Sequence, residues 1–152
     1  MFNIKNYSLG FDIYGLLLFL VIMLPNFVWF AVPAANDVLR TGSVTPHVDA
    51  TASFFQIMLV AALCIVINKH RQVPMRKAAF RGIAILIALY YLGWLLYYAG
   101  LISPVIIMDL CIAPCLAFVL FSISRKNAAA LISASVFTVC HVLYAVMNFI
   151  VQ

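Results

Sequence analysis

The sequence contains no glutamate and only four aspartates, and charged residues make up 9% of its 152 residues. A soluble domain carries about 25% charged residues, so this composition excludes an ordinary water-soluble fold. With so few acids, paired-carboxylate catalysis is also excluded. The motifs G-x-S-x-G, H-E-x-x-H and G-x-G-x-x-G and the P-loop are absent, so hydrolase, zinc-protease and nucleotide-dependent activities have no support. The composition therefore favours a protein without catalytic activity.

Disulfide and metal-binding cysteine patterns are missing as well. The four cysteines fall inside apolar runs, and no C-x-x-C is present. Cys111 and Cys115 are spaced i, i+4 and Cys140 adjoins a histidine, but a helical wheel turns the first two away from the nearest acid. We therefore expect small buried side chains, no metal and no cofactor.

Long apolar runs dominate the sequence instead. Hydrophobic residues make up 67% of the chain, and the mean hydropathy is +1.16. A membrane-spanning helix needs about 20 apolar residues, and the continuous rather than alternating pattern of these runs disfavours a β-barrel. We predict an all-α integral membrane bundle, a single transmembrane domain over residues 1–152, with five transmembrane helices at about residues 14–33, 51–68, 79–100, 103–123 and 128–150.

The distribution of basic residues predicts the orientation. Of the nine lysines and arginines, five lie between the second and third runs, two between the fourth and fifth, and Lys5 precedes the first. Basic residues concentrate in the cytoplasmic segments of membrane proteins. This predicts a cytoplasmic N-terminus, a solvated outer loop at residues 34–50 that includes Asp49, and a C-terminus outside. The same clustering explains the net charge of +5 without a nucleic-acid partner.

Asp109 interrupts the fourth run and is the strongest polar signal in the sequence. A charged group at membrane depth costs about 2.5–3.5 kcal/mol on insertion scales, so such acids tend to have a partner or a function. Asp109 lies ~9 Å from the predicted outer end of its helix, at ~1.5 Å per residue. Two interpretations remain open: a functional acid in a binding site, or a structural hydrogen bond between helices near the interface.

Span five carries a polar stripe that includes His141, Tyr144 and Asn148. Such a stripe predicts either close packing with interhelical hydrogen bonds or one side of a hydrated, ligand-binding cavity. At ~13 Å from the helix end, His141 is near the level of Asp109. A pair formed by Asp109 and His141 would suit a proton relay or an ion pair.

Polar residues of other spans reach the same layer. Asn26 lies ~10 Å and Gln56 ~8 Å from the predicted outer ends of spans one and two. Pro25 precedes Asn26, and we expect a kink there that frees backbone carbonyls, as at many binding sites of transporters. On span three Trp94 shares a face with three tyrosines, which predicts either an aromatic side of a cavity or a lipid-facing belt with core packing.

Four segments carry a resemblance to known proteins: FDIYGLLLFLVIMLPNFVWFAVPAANDVLR, INKHR, PCLAFVLFSISRKN and FTVCHVLYAVMNFI. Together they resemble a group of small multipass membrane proteins of Gram-positive bacteria that has no assigned function. The resemblance covers nearly the whole chain and implies the bacterial cytoplasmic (cell) membrane, but no activity. The tryptophan-rich sensory protein family is similar in size and number of spans. Its Trp- and Pro-rich motifs are not present here, so no residue role transfers from it.

The leading hypothesis is a protein that binds or transports a small molecule, an ion or a proton in a polar pocket. The pocket is expected to open to the outer side between spans one, two, four and five, with Asp109 as its ionisable centre and His141 as partner. The other expected ligand-binding residues are Asn26, Gln56, Tyr144, Asn148 and Trp94. The alternative is a non-catalytic accessory or assembly subunit of a larger membrane complex, which binds another membrane protein or a second copy through its lipid-facing surface. A membrane enzyme that uses Asp109 and His141 as acid and base ranks last, and the bilayer is the surrounding partner in every case.

Overall fold

The architecture consists of five long helices. The computed structural model describes residues 4–71 and 74–151, so the predicted domain limits, residues 1 and 152, lie outside the described part. All five helices are long and apolar enough to cross a membrane, and large apolar side chains on their outer faces are exposed, as is typical of a membrane-facing surface. The prediction of an all-α bundle with five helices long and apolar enough to span a membrane is confirmed. The helices are α1 (Ile13–Ala31), α2 (Pro46–Ile65), α3 (Lys77–Tyr98), α4 (Pro104–Ser124) and α5 (Ala128–Phe149).

The largest departure from the predicted spans concerns α2. This helix begins at Pro46, inside the predicted outer loop, because proline suits the first helical turn, where its missing N–H would have no partner. It ends at Ile65. Residues 66–68, predicted as the last turn of span two, form strand β2 (Val66–Asn68) instead, which pairs antiparallel with β1 (Tyr7–Leu9). β-branched residues at the start of β2 favour the extended conformation, and this corrects the predicted limit of span two.

The helices pack around α4, which lies between α3 and α5, and α5 packs in turn against α2. Small residues at these contacts are fully buried, among them Ala117 on α4 and Ala130 and Ala134 on α5. Small side chains let helix backbones approach closely, which is how helices associate in lipid. α1 packs less closely, against α2, α3 and α4. The looser packing leaves two spaces beside α1, a cavity toward its C-terminal end and a groove toward its N-terminal end.

Tyrosines of α3 hold α1 against the bundle through its backbone. The Tyr91 hydroxyl donates to the Val21 carbonyl (2.7 Å), and the Tyr98 hydroxyl donates to the Val32 carbonyl (2.7 Å). Pro25 has no N–H for the carbonyl four residues before it, which is that of Val21. Tyr91 takes the place of this missing donor, and α1 continues as a helix through Pro25. The carbonyl that Pro25 frees is therefore bonded to α3 and is not left for a ligand.

The end of the bundle that carries most of the basic residues contains a buried ion pair. Asp12 caps α1, and its carboxylate accepts a hydrogen bond from the Tyr14 N–H (3.1 Å). Nε of Arg125, the residue that follows α4, lies 3.0 Å from Oδ2 of Asp12, and both residues are buried. Asn127 caps α5 and also donates to two carbonyl groups at the end of α2 and the start of β2, at 2.9 and 2.8 Å. These contacts join the ends of four helices.

Candidate functional site

A cavity of about 390 Å³ lies among all five helices. Its lining residues come from the second half of α1 and the first half of α2, so it occupies the half of the bundle next to the segment 32–45 that joins these helices. Phe30 and Ser53 line it from either side of the gap between α1 and α2, and both are exposed. They mark its opening. The polar lining residues are Asn26, Asp49, Ser53, Gln56, Tyr90, His141 and Tyr144.

The α2 side of the cavity carries its acid. Asp49 lies in the first turn of α2, and Ser53 and Gln56 follow it at i+4 and i+7, so that all three share one face of the helix. Oδ1 of Asp49 accepts a hydrogen bond from the hydroxyl of Thr45 (3.2 Å). In the described part of the chain Asp49 is the one acid that lines the cavity, and no lysine or arginine lines it. The charge of the cavity lining is therefore compatible with a positively charged or neutral group.

The α5 side of the cavity is a series of stacked rings. The ring centroids of Phe137 and His141 are 5.0 Å apart with their planes at 18°, and those of His141 and Tyr144 are 6.2 Å apart with their planes at 8°. Spacings of four and three residues place these rings on one face of the helix. Asp49 lines the same cavity as His141 and Tyr144. The acid and the rings thus belong to one site.

The side formed by α1 and α3 contains a hydrogen-bonded pair. Nδ2 of Asn26 donates to the hydroxyl of Tyr90 (2.6 Å) and more weakly to the carbonyl of Ile22 (3.3 Å). Tyr90 is itself buried, so this contact fixes the amide at the edge of the cavity. Within residues 4–71 and 74–151, Oδ1 of Asn26 accepts no hydrogen bond, which leaves one acceptor for a bound molecule.

Pro114 on α4 interrupts the helical hydrogen bonding beside the cavity. A proline has no N–H, so the carbonyl four residues before it, that of Leu110, loses its helical donor. Both residues line the cavity. In α1 the corresponding carbonyl is bonded by a tyrosine of α3, whereas no side chain in the described structure donates to Leu110.

Comparison of the chain with protein-family models, with curated proteins and with solved structures finds no match. The resemblance to membrane proteins of Gram-positive bacteria stays a prediction. The site is interpreted from its own chemistry.

The structure brings together four of the seven residues predicted for the site. Asn26, Gln56, His141 and Tyr144 all line the cavity, which lies between the predicted spans. The distances of Asn26, Gln56 and His141 from the helix ends, calculated at ~1.5 Å per residue, predicted a common layer. The other three predicted residues, Asp109, Trp94 and Asn148, lie elsewhere in the described structure.

Asp109 lies on the side of α4 that faces α3. Its carboxylate contacts Gly93 so closely that a Cβ added to this glycine would clash with it. The residues of α4 that line the cavity begin at Leu110, and each residue turns the helix by about 100°. The calculation that predicted a pair of Asp109 and His141 gives the depth of a side chain but not its direction. Asp49, and not Asp109, is the acid that lines the cavity together with His141.

The contacts of Trp94 and Asn148 hold the fold together, and neither residue lines the cavity. Trp94 is buried in a group of rings, with its centroid 6.3 Å from that of Trp29. It forms part of the core rather than a lipid-facing belt. Oδ1 of Asn148 accepts a hydrogen bond from the Val44 N–H (2.7 Å), and its Nδ2 donates to the Thr45 hydroxyl (2.9 Å). These bonds hold the segment before α2 against α5, as the packing interpretation of the polar stripe predicts.

Three polar lining residues lie outside the predicted set: Asp49, Ser53 and Tyr90. Asp49 is the charged one, and it was missed because it was assigned to a solvated loop. A signal was present in Pro46, since proline is common in the first helical turn, where an acid is also favourable. A helix that begins at Pro46 places Asp49 and Gln56 seven residues apart on one face. The position of the proline could thus have added Asp49 to the predicted site.

Asp37 holds the segment between α1 and α2 over the end of the bundle. Its carboxylate accepts hydrogen bonds from the Trp29 indole N–H (2.9 Å), the Tyr97 hydroxyl (2.9 Å) and Nε of Arg40 (2.8 Å). Burial raises the pKa of Asp37, but these hydrogen bonds together outweigh it and hold the pKa below its ordinary value. Arg40 also donates to the Trp29 carbonyl and lies over its ring. The carboxylate therefore remains ionised near neutral pH.

The site offers charge, rings and amide groups rather than metal ligands. Among the described residues, no group of three His, Cys or Asp side chains is placed to hold a metal ion. A carboxylate near aromatic faces stabilises a cation that also has an apolar part. Asn26 and Gln56 add groups that can orient a bound molecule.

Proposed function

We propose that the protein binds a small organic cation, such as an alkylammonium, in this cavity and that it is a small-molecule binding or transport protein of a membrane. The composition of the cavity carries the proposal. Among the described residues Asp49 is its one acid, and the rings of Tyr90, His141 and Tyr144 surround the same space. Carboxylates and aromatic faces are the groups that bind ammonium ligands. The volume of about 390 Å³ is within the range of about 300–1,000 Å³ that small-molecule sites occupy.

The hydrogen bonds of the polar side chains distinguish a binding protein from an accessory subunit. In an accessory or assembly subunit the polar groups would serve to join helices, as Asn127 and Asn148 do. The side chains of Gln56 and His141 make no hydrogen bond with any described residue, although both line the cavity. Polar groups without protein partners bind water or a ligand, which supports a binding function.

The proposed orientation places the ion-paired end of the bundle in the cytoplasm. Eight of the nine basic residues belong to the segments at this end, and Arg40 alone lies in the segment 32–45. The concentration of basic residues on the cytoplasmic side supports this orientation. The cavity would then lie in the outer half of the bilayer and take its solute from outside. The resemblance of the sequence supports a bacterial cytoplasmic membrane as the location.

Thermal unfolding of the purified protein in detergent tests the proposal, with choline as the probe and 3,3-dimethylbutan-1-ol as its uncharged counterpart. We expect choline to raise the Tm relative to the same concentration of sodium chloride, since a ligand at 100 times its Kd stabilises the folded state by about 2.7 kcal/mol. The uncharged counterpart should have no such effect. Asp49→Asn should abolish the shift.

Asp109→Asn is the matched control. It removes an acid in the same half of the bundle, but this acid does not line the cavity. Its Tm shift with choline should equal that of the wild type. Equal shifts with choline in Asp49→Asn and the wild type would overturn the proposal. So would the absence of a shift in the wild type, which would instead favour an accessory subunit.

A further inference from the structure

A groove of about 680 Å³ lies between α1 and α3, beside the first half of each helix. It shares no lining residue with the cavity among the residues described. Its floor is apolar, and at one end it borders basic side chains. The apolar residues that form its two sides include Leu17, Leu18 and Val21 on α1 and Phe80, Ile83 and Ile87 on α3.

The length of the groove matches one leaflet of a bilayer. Its α3 side extends from Lys77 to Ile87, a distance of about 15 Å at ~1.5 Å per residue. The hydrocarbon core of a bilayer is about 30 Å thick. Since Lys77 begins α3, the groove extends from the membrane surface to near its midplane.

The basic end of the groove has an excess of positive charge. Lys77 and Arg81 are one helical turn apart and both line the groove, and neither forms a hydrogen bond or ion pair with a described residue. Arg125 also borders the groove, but Asp12 neutralises it. No aspartate lines the groove in the part of the chain that the structure describes. The groove thus joins an apolar interior to a cationic rim.

We propose that the groove binds an anionic phospholipid from the leaflet at this end of the bundle. One acyl chain lies along Leu18, Val21 and Ile83, and the phosphate lies between Lys77 and Arg81. Lysines and arginines near a membrane surface attract anionic head groups by about fivefold in affinity each. A zwitterionic phospholipid fills the same apolar groove but lacks the net charge. This proposal does not depend on what the cavity binds.

Native mass spectrometry of the full-length protein released from nanodiscs measures which lipids stay bound. The probes are equal amounts of phosphatidylglycerol and phosphatidylcholine with identical acyl chains. We expect the wild type to retain phosphatidylglycerol preferentially, by about fivefold for each basic residue. The double variant Lys77→Gln with Arg81→Gln should retain both lipids equally. Lys69→Gln, which removes an exposed cation at the same end but outside the groove, should keep the preference.

A pair of tryptophan substitutions tests the apolar part of the groove. Leu17 lines the groove and Leu20 does not, and both are partly exposed, at 49% and 43%, so the larger ring is tolerated at either position. Leu17→Trp should release the bound lipid, whereas Leu20→Trp should retain it. Glycerol phosphate, which carries the anion without acyl chains, should not displace the lipid at equal concentration.

Four results would overturn the proposal. Equal retention of the two lipids by the wild type would show that only ordinary surrounding lipid is present. A preference that survives in the Lys77 and Arg81 double variant would place the head group at other basic residues. Equal lipid retention by the two tryptophan variants, or displacement by glycerol phosphate, would show that the groove does not hold the acyl chain.

Discussion

The ion pair of Asp12 and Arg125 predicts a large loss of stability when either charge is removed. Both residues are at most 5% exposed, and Nε of Arg125 is 3.0 Å from Oδ2 of Asp12. Removing one partner leaves the other charge buried without compensation, which costs about 3–5 kcal/mol. We expect Arg125→Met to lower the free energy of unfolding by this amount, because the unpaired carboxylate remains at the junction of α1 and α4.

Two substitutions of Asp12 separate its charge from its role as a helix cap. Asn at this position keeps an acceptor for the Tyr14 N–H, removes the negative charge and replaces Oδ2, the acceptor for Arg125, with an amide nitrogen. Ala removes the charge and both acceptors, and loss of an N-cap costs about 1 kcal/mol. Asp12→Ala should therefore be less stable than Asp12→Asn by about 1 kcal/mol.

A double-mutant cycle measures the pair itself. Unfolding by sodium dodecyl sulfate in mixed micelles, followed by tryptophan fluorescence, gives the free energy of each variant. Asp12→Asn combined with Arg125→Met removes both charges, so its loss should be smaller than the sum of the single losses by about 1–3 kcal/mol. Strictly additive losses would refute the reasoning. In that case the backbone and asparagine contacts would hold this end of the bundle.

Two further substitutions test contacts at the end of the bundle opposite the ion pair. Gly93→Ala should cost at most about 2 kcal/mol of stability, because overpacking against the Asp109 carboxylate costs about 1–3 kcal/mol and the gain in helix propensity offsets about 1 kcal/mol of this. In an Asp109→Ala background the same substitution should be neutral or stabilising in the same unfolding assay; an equal effect in both backgrounds would contradict the close contact. Because the pKa of Asp37 is held below its ordinary value of 3.8, its contribution to stability is present above pH 3.8 and is lost as the pH falls through the lowered pKa. The wild type should lose more Tm than Asp37→Asn between pH 5 and pH 3, and parallel pH profiles would contradict this.

The spans could be predicted from the sequence because a run of about 20 apolar residues has few other uses. Four of the predicted site residues line the cavity. They are polar groups at one depth of the bundle, where such groups are costly unless they meet. No sequence pattern indicated in which direction the Asp109 side chain points. α4 is apolar on every side, so no amphipathic pattern indicates which face turns inward.

Contacts between distant parts of the chain could not be predicted for a different reason. Asp12 and Arg125 are 113 positions apart, and no local pattern connects them. Strands β1 and β2 have three residues each, which is too short for an alternating pattern to be recognised. Both features depend on how the helices assemble, and the residue pattern of a single helix does not show this.

α1 forms one side of two compartments, and hydroxyl groups of α3 attach it to the bundle. Its backbone is bonded to Tyr91 and Tyr98 and its Asn26 to Tyr90, while its apolar packing is looser than that of the other helices. The cavity and the groove both have α1 as one side. If the cavity binds a solute and the groove binds a lipid, both contact α1, so a shift of this helix on binding one would change the binding of the other. Thermodynamic linkage then requires that each changes the affinity of the other by an equal factor.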